Sequence, residues 1–292
     1  MIESEALGDE LDICVSKASL IRKEYLECRI RRQMLNQLTN AVFSTYILGQ
    51  SVGGCAVCIN SRGLLLTNAH CVIDTEEFSD VGEEEHKKFC LERDELTAID
   101  MCGNVFIASC IGVDFLRDLA ILKIEKQYII NKKNIVPTLS TVFKYVKLQT
   151  ETIQIGCDII CVGASSNLTK SRPVSLLEGK VLGLSSNLHH NLPIGALCHD
   201  CWTDWGYSGC PLFSYQGELI GVHNSSNPIT GLVHGVPAIA IQYFIDNVNK
   251  ISDNPIIKTR TKKMRREQKQ EEGDQKPNLD DKNESKNKEV KI

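Results

Sequence analysis

The first regular pattern of apolar and polar residues lies between Ser16 and Leu38. Leucine, isoleucine and methionine recur there three to four positions apart, with arginine and lysine between them. This spacing predicts one amphipathic helix within an N-terminal extension, residues 1–40. Two roles for the helix remain open: packing against the body of the protein, or self-association and regulation.

From residue 41 to about residue 245 the pattern changes to short apolar runs, many of them rich in β-branched and aromatic residues. Turn-forming residues separate the runs, as in C-A-V-C-I, N-S-R-G and L-L-L-T. The first run that we interpret as a strand is A-V-F-S-T-Y-I-L at residues 41–48, and the last is P-A-I-A-I at residues 237–241. Many short strands with little helix between them predict an all-β fold, either an antiparallel barrel or a sandwich.

Two polar stretches interrupt or follow this pattern. Residues 74–95 are acidic and predict a solvated loop, since their spacing does not favour calcium binding. Residues 251–292 are rich in lysine, glutamate, aspartate, asparagine and glutamine, which predicts a disordered charged tail. The basic cluster at residues 258–269 is either simply solvated, a nuclear-import signal or a site for an acidic partner.

Composition adds expectations about partners and location. The chain of 292 residues has a formal net charge of -4, which gives no reason to expect nucleic acid as a partner. No apolar run is long enough for a membrane span, so we expect none. The 13 cysteines, together with an N-terminus that lacks a basic and apolar leader, favour reduced thiols and a cytoplasmic or nuclear location.

Candidate chemistry begins with Ser208, which lies between Gly206 and Gly209 in the stretch T-D-W-G-Y-S-G-C-P-L-F-S. A nucleophilic serine needs small neighbours, because a substrate carbonyl must come close to backbone N–H groups. His70 ends an apolar run, and Asp118 begins another. A base and an acid that orients it are what a serine requires to act as a nucleophile at neutral pH.

These blocks resemble those of a known family. L-L-L-T-N-A-H-C-V, R-D-L-A-I-L-K-I and G-Y-S-G-C-P-L are similar to the His, Asp and Ser blocks of trypsin-like, chymotrypsin-fold serine peptidases. The likeness is closer to the HtrA/Deg branch, through G-G-C-A-V-C-I-N-S-R-G, G-C-D-I-I-C-V-G-A-S, L-E-G-K-V-L-G-L and G-E-L-I-G-V-H-N. It covers residues 41–250, and the PDZ domain usual in that branch has no counterpart in the polar tail.

The resemblance implies a fold and an activity. The fold would be two six-stranded antiparallel β-barrels of the chymotrypsin type, with their boundary near residues 130–150 and the active site between them. The activity would be that of a serine endopeptidase acting on a protein or peptide substrate, with no cofactor and no metal. Oligomers are common in this branch, so a homo-oligomer is a further expectation.

By the same resemblance, Ser208 is the nucleophile, His70 the general base and Asp118 the residue that orients it. The backbone N–H groups of Gly206 and Ser208 would form the oxyanion hole. The competing hypothesis is a trypsin-like barrel that uses the same cleft to bind an extended peptide without cutting it.

Two neighbours of the serine depart from the family pattern. Tyr207 replaces the usual Asp or Asn, so activation of the trypsin type, by an ion pair with a new N-terminus, is not expected. Cys210 replaces a second glycine, and its side chain is expected to crowd the turn, with added strain if that position needs a positive φ.

The resemblance also assigns six residues to the substrate pocket: Cys201, Trp202, Thr203, Val222, His223 and Asn224. Trp202 aligns with the acid at the base of the trypsin pocket, so cleavage after lysine or arginine is not expected. We expect a small or medium apolar residue before the scissile bond instead. Asp204 nearby could still attract a basic side chain.

The cysteines offer a different set of possibilities. Two C-x-x-C pairs, Cys55 with Cys58 and Cys198 with Cys201, could supply ligands for zinc, and three histidines, His189, His190 and His199, lie close to the second pair in sequence. Residues three apart on a strand point to opposite faces, which counts against convergence of the first pair. Cys55 and Cys71 have the spacing of a disulfide common in secreted trypsins, and the alternative in a reducing compartment is two adjacent thiols.

Overall fold

The structure, a computed structural model, describes residues 11, 13–19, 32–49, 53–72, 95–138, 141–149, 151–164, 174–185, 195–226 and 231–251. The strands are β1 (Thr45–Leu48), β2 (Cys55–Cys58), β3 (Leu64–Thr67), β4 (Leu96–Asp100), β5 (Val105–Asp114), β6 (Leu119–Ile129), β7 (Asn134–Pro137), β8 (Asp158–Gly163), β9 (Ser175–Leu184), β10 (Leu197–His199), β11 (Pro211–Ser214), β12 (Leu219–Ser226) and β13 (Val233–Pro237). Helices cover Arg32–Phe43 and Ala238–Ile251, and short 3-10 turns cover Ala69–Cys71 and Ile130–Lys132.

The first barrel is built from the strands that precede residue 138. Its sheet has the order β3-β2-β1-β4-β5-β6-β7, and an additional pairing of β3 with β6 closes six of these strands into a barrel. In that closing pair Thr67 lies opposite Ala120. The end of β3 and the start of β6 are therefore held side by side.

The second barrel contains the remaining six strands, in the closed order β10-β13-β12-β11-β8-β9. All of its pairings are antiparallel. Closure leaves neither barrel with a free edge among these six-strand rings, which removes the main hazard of isolated sheets. The predicted pair of six-stranded antiparallel barrels is confirmed.

The interior is organised as two clusters of buried apolar side chains. One fills the first barrel, with Tyr46, Leu65 and Phe106 among its members. The other combines residues of both barrels, including Val57 and Phe213. Because this second cluster is shared, the two barrels pack against each other through a continuous apolar contact, and the groups at its rim are brought together.

The N-terminal helix prediction is confirmed at its two ends, since residues 13–19 and Arg32–Phe43 are helical. Residues 20–31 lie outside the described part of the chain, as do most of the acidic loop and residues 252–292 of the predicted tail. Among the described residues, no helix has both the length and the apolar character needed to cross a membrane.

Two strand predictions are wrong. Residues 41–43 continue the Arg32–Phe43 helix, and β1 begins only at Thr45. The run P-A-I-A-I at residues 237–241 leaves β13 at Pro237 and starts the Ala238–Ile251 helix. The helix buries Ala238, Ile241, Phe244 and Val248. That spacing of three to four forms a helical apolar stripe, which the five-residue run alone was too short to reveal.

Candidate active site

His70 and Asp118 are brought together by the closure of the first barrel. His70 lies in the 3-10 turn that follows β3, and Asp118 directly precedes β6, the strand paired with β3. Their side chains meet with His70 Nδ1 2.6 Å from Asp118 Oδ2, and the His70 backbone N–H donates to Asp118 Oδ1 at 2.9 Å. The carboxylate therefore fixes both the backbone and the ring of the histidine.

Asp118 has a strained backbone conformation. Its φ of 52° lies in the left-handed region, which aspartate tolerates better than most residues but at some cost in free energy. Asn68 Nδ2 donates to the Asp118 carbonyl at 2.9 Å, which helps to hold this conformation. The sequence motif T-N-A-H contains Asn68, but its role depends on a partner 50 residues further along the chain.

The pKa of His70 responds to two opposing effects. Burial of the ring disfavours its protonated form, but the hydrogen bond to the Asp118 carboxylate, assisted by the neighbouring Cys71, outweighs burial and raises the pKa above its ordinary value. An imidazole held in this way is a stronger base than a free one, which suits it for accepting a proton from a hydroxyl.

Ser208 stands on a turn that contains two glycines in the left-handed region of φ. Gly206 has φ 97° and Gly209 has φ 79°. A Cβ on Gly209 would lie 2.1 Å from the Cys55 carbonyl oxygen and 2.5 Å from Thr67 Oγ1, both in the first barrel. The turn is therefore packed closely against the end of the barrel that carries His70.

Hydrogen bonds fix this turn to both barrels. The Cys55 N–H donates to the Ser208 carbonyl at 2.7 Å, and the Gly209 N–H donates to the His223 carbonyl at 2.9 Å. Ser208 Oγ donates to the Asn224 carbonyl at 3.5 Å, a long contact. Among the described residues no hydrogen bond joins Ser208 Oγ to His70, and in unliganded sites such bonds often form only when substrate is present.

Asn224 connects the serine to the acid. Its carbonyl accepts the bond from Ser208 Oγ, and its side-chain Nδ2 donates to Asp118 Oδ2 at 2.9 Å. The oxygen that accepts from His70 therefore also accepts from β12 of the second barrel. The sequence prediction assigned Asn224 only to the substrate pocket and missed this link, because it joins residues 106 positions apart.

Cys210 fits the turn without strain. Among the described non-glycine residues, only Asp118 and Lys133 have positive φ, so the backbone strain expected for Cys210 is absent. Its side chain is fully buried and occupies space left by a glycine, since a Cβ on Gly163 would lie 1.9 Å from Cys210 Sγ. The crowding expected at Cys210 is thus relieved by the missing side chain of Gly163.

Tyr207, the other departure, is 5% exposed and hydrogen-bonded to Ser175 of β9. Burial is the main reason why the pKa of Tyr207 rises to about 12. Its phenol is therefore neutral and serves as a buried packing group beside the nucleophile. The position that carries a carboxylate or an amide in the resembled family carries no charge here.

The six predicted pocket residues do not share one environment. Cys201 and Val222 are fully buried, and Asn224 takes part in the Asp118 network. Trp202 is 85% exposed, so its indole does not form the buried base of a pocket; the side chain projects into solvent, as that of Trp205 does. This corrects the role predicted for Trp202.

A cluster of buried histidines, which the sequence analysis did not identify, lies next to this site. His199, His223 and His234 come from the three adjacent strands β10, β12 and β13 and are at most 5% exposed. His223 Nδ1 lies 3.4 Å from His199 Nε2. Burial lowers the pKa of His199 to about 4 and that of His223 to about 3, and it also lowers the pKa of His234.

The cysteines that the sequence analysis considered for a disulfide or for zinc are free thiols. Cys55 and Cys71, the pair with disulfide spacing, are both buried and form no disulfide with each other. This favours the alternative of two adjacent thiols. The zinc alternative finds no support, since no group of three or more His, Cys, Asp or Glu residues in the described part of the chain could hold a metal ion. Cys55 Sγ instead lies 3.7 Å from the Gly206 carbonyl, beneath the turn that carries Ser208.

Similarity to known proteins agrees with this geometry. A family model for the trypsin-like peptidase domain matches residues 54–222. The chain is 24% identical over 200 residues to serine protease HTRA1 of Xenopus tropicalis, an alignment that covers 67% of this chain and 36% of that protein. It is 25% identical to a probable periplasmic DegP-like serine endoprotease of Hahella chejuensis, with 70% and 36% coverage. For mitochondrial serine protease HTRA2 of Drosophila grimshawi the identity is 27%, with 69% and 41% coverage.

The fold is also found among solved structures. The crystal structure of a serine endoprotease from Yersinia pestis matches with a TM-score of 0.54 at 18% identity, covering 74% of this chain and 66% of that one. The chain spans well under half the length of the three relatives named above. Its own barrels and the family match, which covers more than half of the chain, lead to one conclusion: this protein belongs to the trypsin-like peptidase family, and its named relatives are of the HtrA/Deg type.

Proposed function

We propose that this protein is a serine endopeptidase that uses Ser208, His70 and Asp118. The observation that carries the proposal is the 2.6 Å contact of His70 with Asp118, at the rim where the glycine-flanked turn of Ser208 meets the first barrel. A hydrogen-bonded histidine and aspartate beside an accessible serine are the groups that acyl transfer requires.

The proposed reaction begins with proton transfer. With the Nδ1–H of His70 donated to Asp118, the other ring nitrogen is free to accept the Ser208 proton. Ser208 Oγ then attacks the peptide carbonyl, and the protonated His70 gives its proton to the leaving amine. Water, activated by the same histidine, hydrolyses the acyl-enzyme and restores Ser208.

The negative charge that develops on the carbonyl oxygen requires hydrogen-bond donors. The backbone N–H groups of Gly206 and Ser208 are the proposed donors, and the φ of 97° at Gly206 supports a turn that directs backbone N–H groups to one side. Cys55 Sγ donates to the Gly206 carbonyl at 3.7 Å and so helps to hold that peptide unit in place. One such donor contributes about 3–4 kcal/mol to the stability of the transition state.

A fluorophosphonate probe tests the proposal, because it reacts with a serine that is activated by its histidine. We expect labelling at Ser208 of the full chain under reducing conditions, with none in Ser208→Ala and much slower labelling in His70→Ala. Retained folding of each variant is checked by circular dichroism. Absence of labelling between about pH 6 and pH 11, a range that extends above the raised pKa of His70, would overturn the proposal in favour of a peptide-binding barrel.

The substrate is proposed to be a polypeptide, as for a protease domain of this fold. The expectation of a small or medium apolar residue before the scissile bond depended on Trp202 at the pocket base. Since Trp202 is 85% exposed, that reasoning no longer applies, and the choice of residue has to be made from the side chains that do surround Ser208.

A further inference from the structure

The backbone next to Ser208 leads directly into the histidine cluster. The His223 carbonyl accepts from the N–H of Gly209, and the next carbonyl, that of Asn224, accepts from Ser208 Oγ. When Ser208 attacks a peptide, the side chain of the residue before the scissile bond lies within a few ångströms of Oγ. The part of the second barrel that it meets first is therefore the one carrying His223.

Behind His223 the polar groups continue. His223 Nδ1 is 3.4 Å from His199 Nε2, and the two rings meet edge to face with centroids 5.5 Å apart. His234 lies on β13, between the strands of the other two, and its backbone pairs with Cys198. We call His199, His223 and His234 the histidine wall.

The histidine wall and Thr203 contain buried polar atoms that lack partners. Within the described residues, His199 Nδ1, His234 Nδ1 and Thr203 Oγ1 are inaccessible to solvent and make no hydrogen bond. Thr203 lies four positions after His199, on the stretch that leads to Ser208. Unpaired buried polar groups are rare in folded proteins and destabilise them, so several beside one nucleophile point to a ligand that supplies the missing partner.

Charge restricts what that ligand can be. No lysine or arginine occurs between Lys180 and Lys250, the stretch that includes the whole histidine wall, and Asp200 directly follows His199. Burial keeps His199 and His223 neutral at physiological pH, because it lowers the pKa of both imidazoles. The neutral histidine wall itself has no positive charge to pair with a carboxylate, whereas an uncharged amide can accept from an imidazole N–H and donate to an unprotonated nitrogen.

We propose that the pocket beside Ser208 selects glutamine as the residue before the scissile bond, through hydrogen bonds from the histidine wall and Thr203 to the side-chain amide. This inference rests on the proposed endopeptidase function. An apolar side chain of similar length would leave the same polar atoms unpaired, and sites built for hydrogen bonds discriminate strongly against ligands that lack them.

The test uses one set of internally quenched peptides that differ only at the residue before the scissile bond: glutamine, glutamate, leucine, valine or lysine. We expect kcat/KM for the glutamine peptide to exceed that for the leucine peptide at least about tenfold. A higher value for leucine or valine would overturn the inference. A higher value for glutamate would overturn it as well, since it would require a positively charged wall.

Substitutions of Thr203 and His223 test whether these residues cause the preference for glutamine. Thr203→Val is nearly isosteric and removes only the hydroxyl, so the ratio of kcat/KM for glutamine to that for leucine should fall several-fold, whereas Thr203→Ser should retain it. His223→Leu should reverse the preference, so that the leucine peptide has the higher kcat/KM. If this variant does not fold, the comparison of Thr203→Val with Thr203→Ser still tests the inference. An unchanged ratio in Thr203→Val would contradict the role of Thr203 in the pocket.

The two proposals fail in different ways. If the fluorophosphonate labels Ser208 but the glutamine peptide is not preferred, the specificity inference is wrong and the endopeptidase proposal stands. If Ser208 is not labelled and no peptide in the set is cut, the endopeptidase proposal itself is wrong, and the inference falls with it.

Discussion

Because the side chain of Cys210 packs against Gly163, a side chain added at Gly163 should destabilise the protein. In Gly163→Ala the new methyl group would lie 1.9 Å from Cys210 Sγ and 3.2 Å from both Cys210 Cβ and Cys55 Sγ. Cys210 is fully buried, so its thiol has little room to move away. The surrounding structure must therefore shift, and overpacking of this kind costs about 1–3 kcal/mol of unfolding free energy.

The shift is expected to reach the catalytic turn, because Cys210 is two residues after Ser208 and its N–H donates to the Tyr207 carbonyl at 2.9 Å. Gly163→Ala should therefore lower the melting temperature by several degrees and also slow fluorophosphonate labelling. Urea unfolding gives the free energy, and the labelling rate reports on the turn.

A double-mutant cycle isolates the cause. Cys210→Gly alone loses a buried side chain and should cost about 1 kcal/mol, but in Gly163→Ala/Cys210→Gly the methyl group occupies the space that the thiol has left. The double variant should be more stable than Gly163→Ala. Gly221→Ala, whose new methyl group would lie 2.8 Å from the Val236 carbonyl, is the control that Cys210→Gly should not rescue. Additive costs for Gly163→Ala and Cys210→Gly would refute the proposed fit.

Three further predictions concern charge and hydrogen bonding at the site. Because the Asp118 contact raises the pKa of His70, kcat/KM should increase with pH through a pKa above about 6.5. Asp118→Asn should lower that pKa and reduce kcat about 10⁴-fold. An unchanged pH profile in this variant would contradict the pairing of His70 with Asp118. Because burial lowers the pKa of His199 to about 4, its neutral form stabilises the fold fully above about pH 6.5, and this contribution, on the order of 3 kcal/mol, should be lost as the pH falls to about 4. Urea unfolding over this pH range measures the loss, which His199→Gln should reduce. Asn224→Ala should lower kcat about tenfold with little change in KM, since it removes the donor to Asp118. The control Ser226→Ala, on the same strand, should leave kcat unchanged. Equal effects of the two substitutions would show that Asn224 does not act through Asp118.

The all-β character of the chain could be predicted because its information is local, whereas the two six-stranded barrels followed only from the resemblance to a known family. Short β-rich runs, the turns between them and the blocks around His70, Asp118 and Ser208 can each be interpreted within about ten residues of sequence. The Ala238–Ile251 helix could not, because its first residues are as β-prone as the strands and only the spacing of its later apolar residues favours a helix.

The features that sequence reasoning missed are contacts between distant residues. Cys210 was expected to crowd the turn because Gly163, whose missing side chain leaves space for the thiol, lies on a different strand. His223 was assigned to the substrate pocket by family position, and its proximity to His199 and His234 was missed, since only the closed order of the second barrel places β10, β13 and β12 side by side. Asn224 was assigned by family position and gained its link to Asp118 only from the packing of the two barrels.

The division of the site between the barrels has a consequence for folding. The first barrel alone forms the contact of His70 with Asp118, whereas Ser208 belongs to the second barrel and reaches the first through the bond of its carbonyl to Cys55 N–H. Reactivity at Ser208 therefore arises only after the two barrels have docked. In a refolding experiment, the time at which the serine first becomes labelled would measure docking itself, separately from the earlier formation of strands that circular dichroism detects.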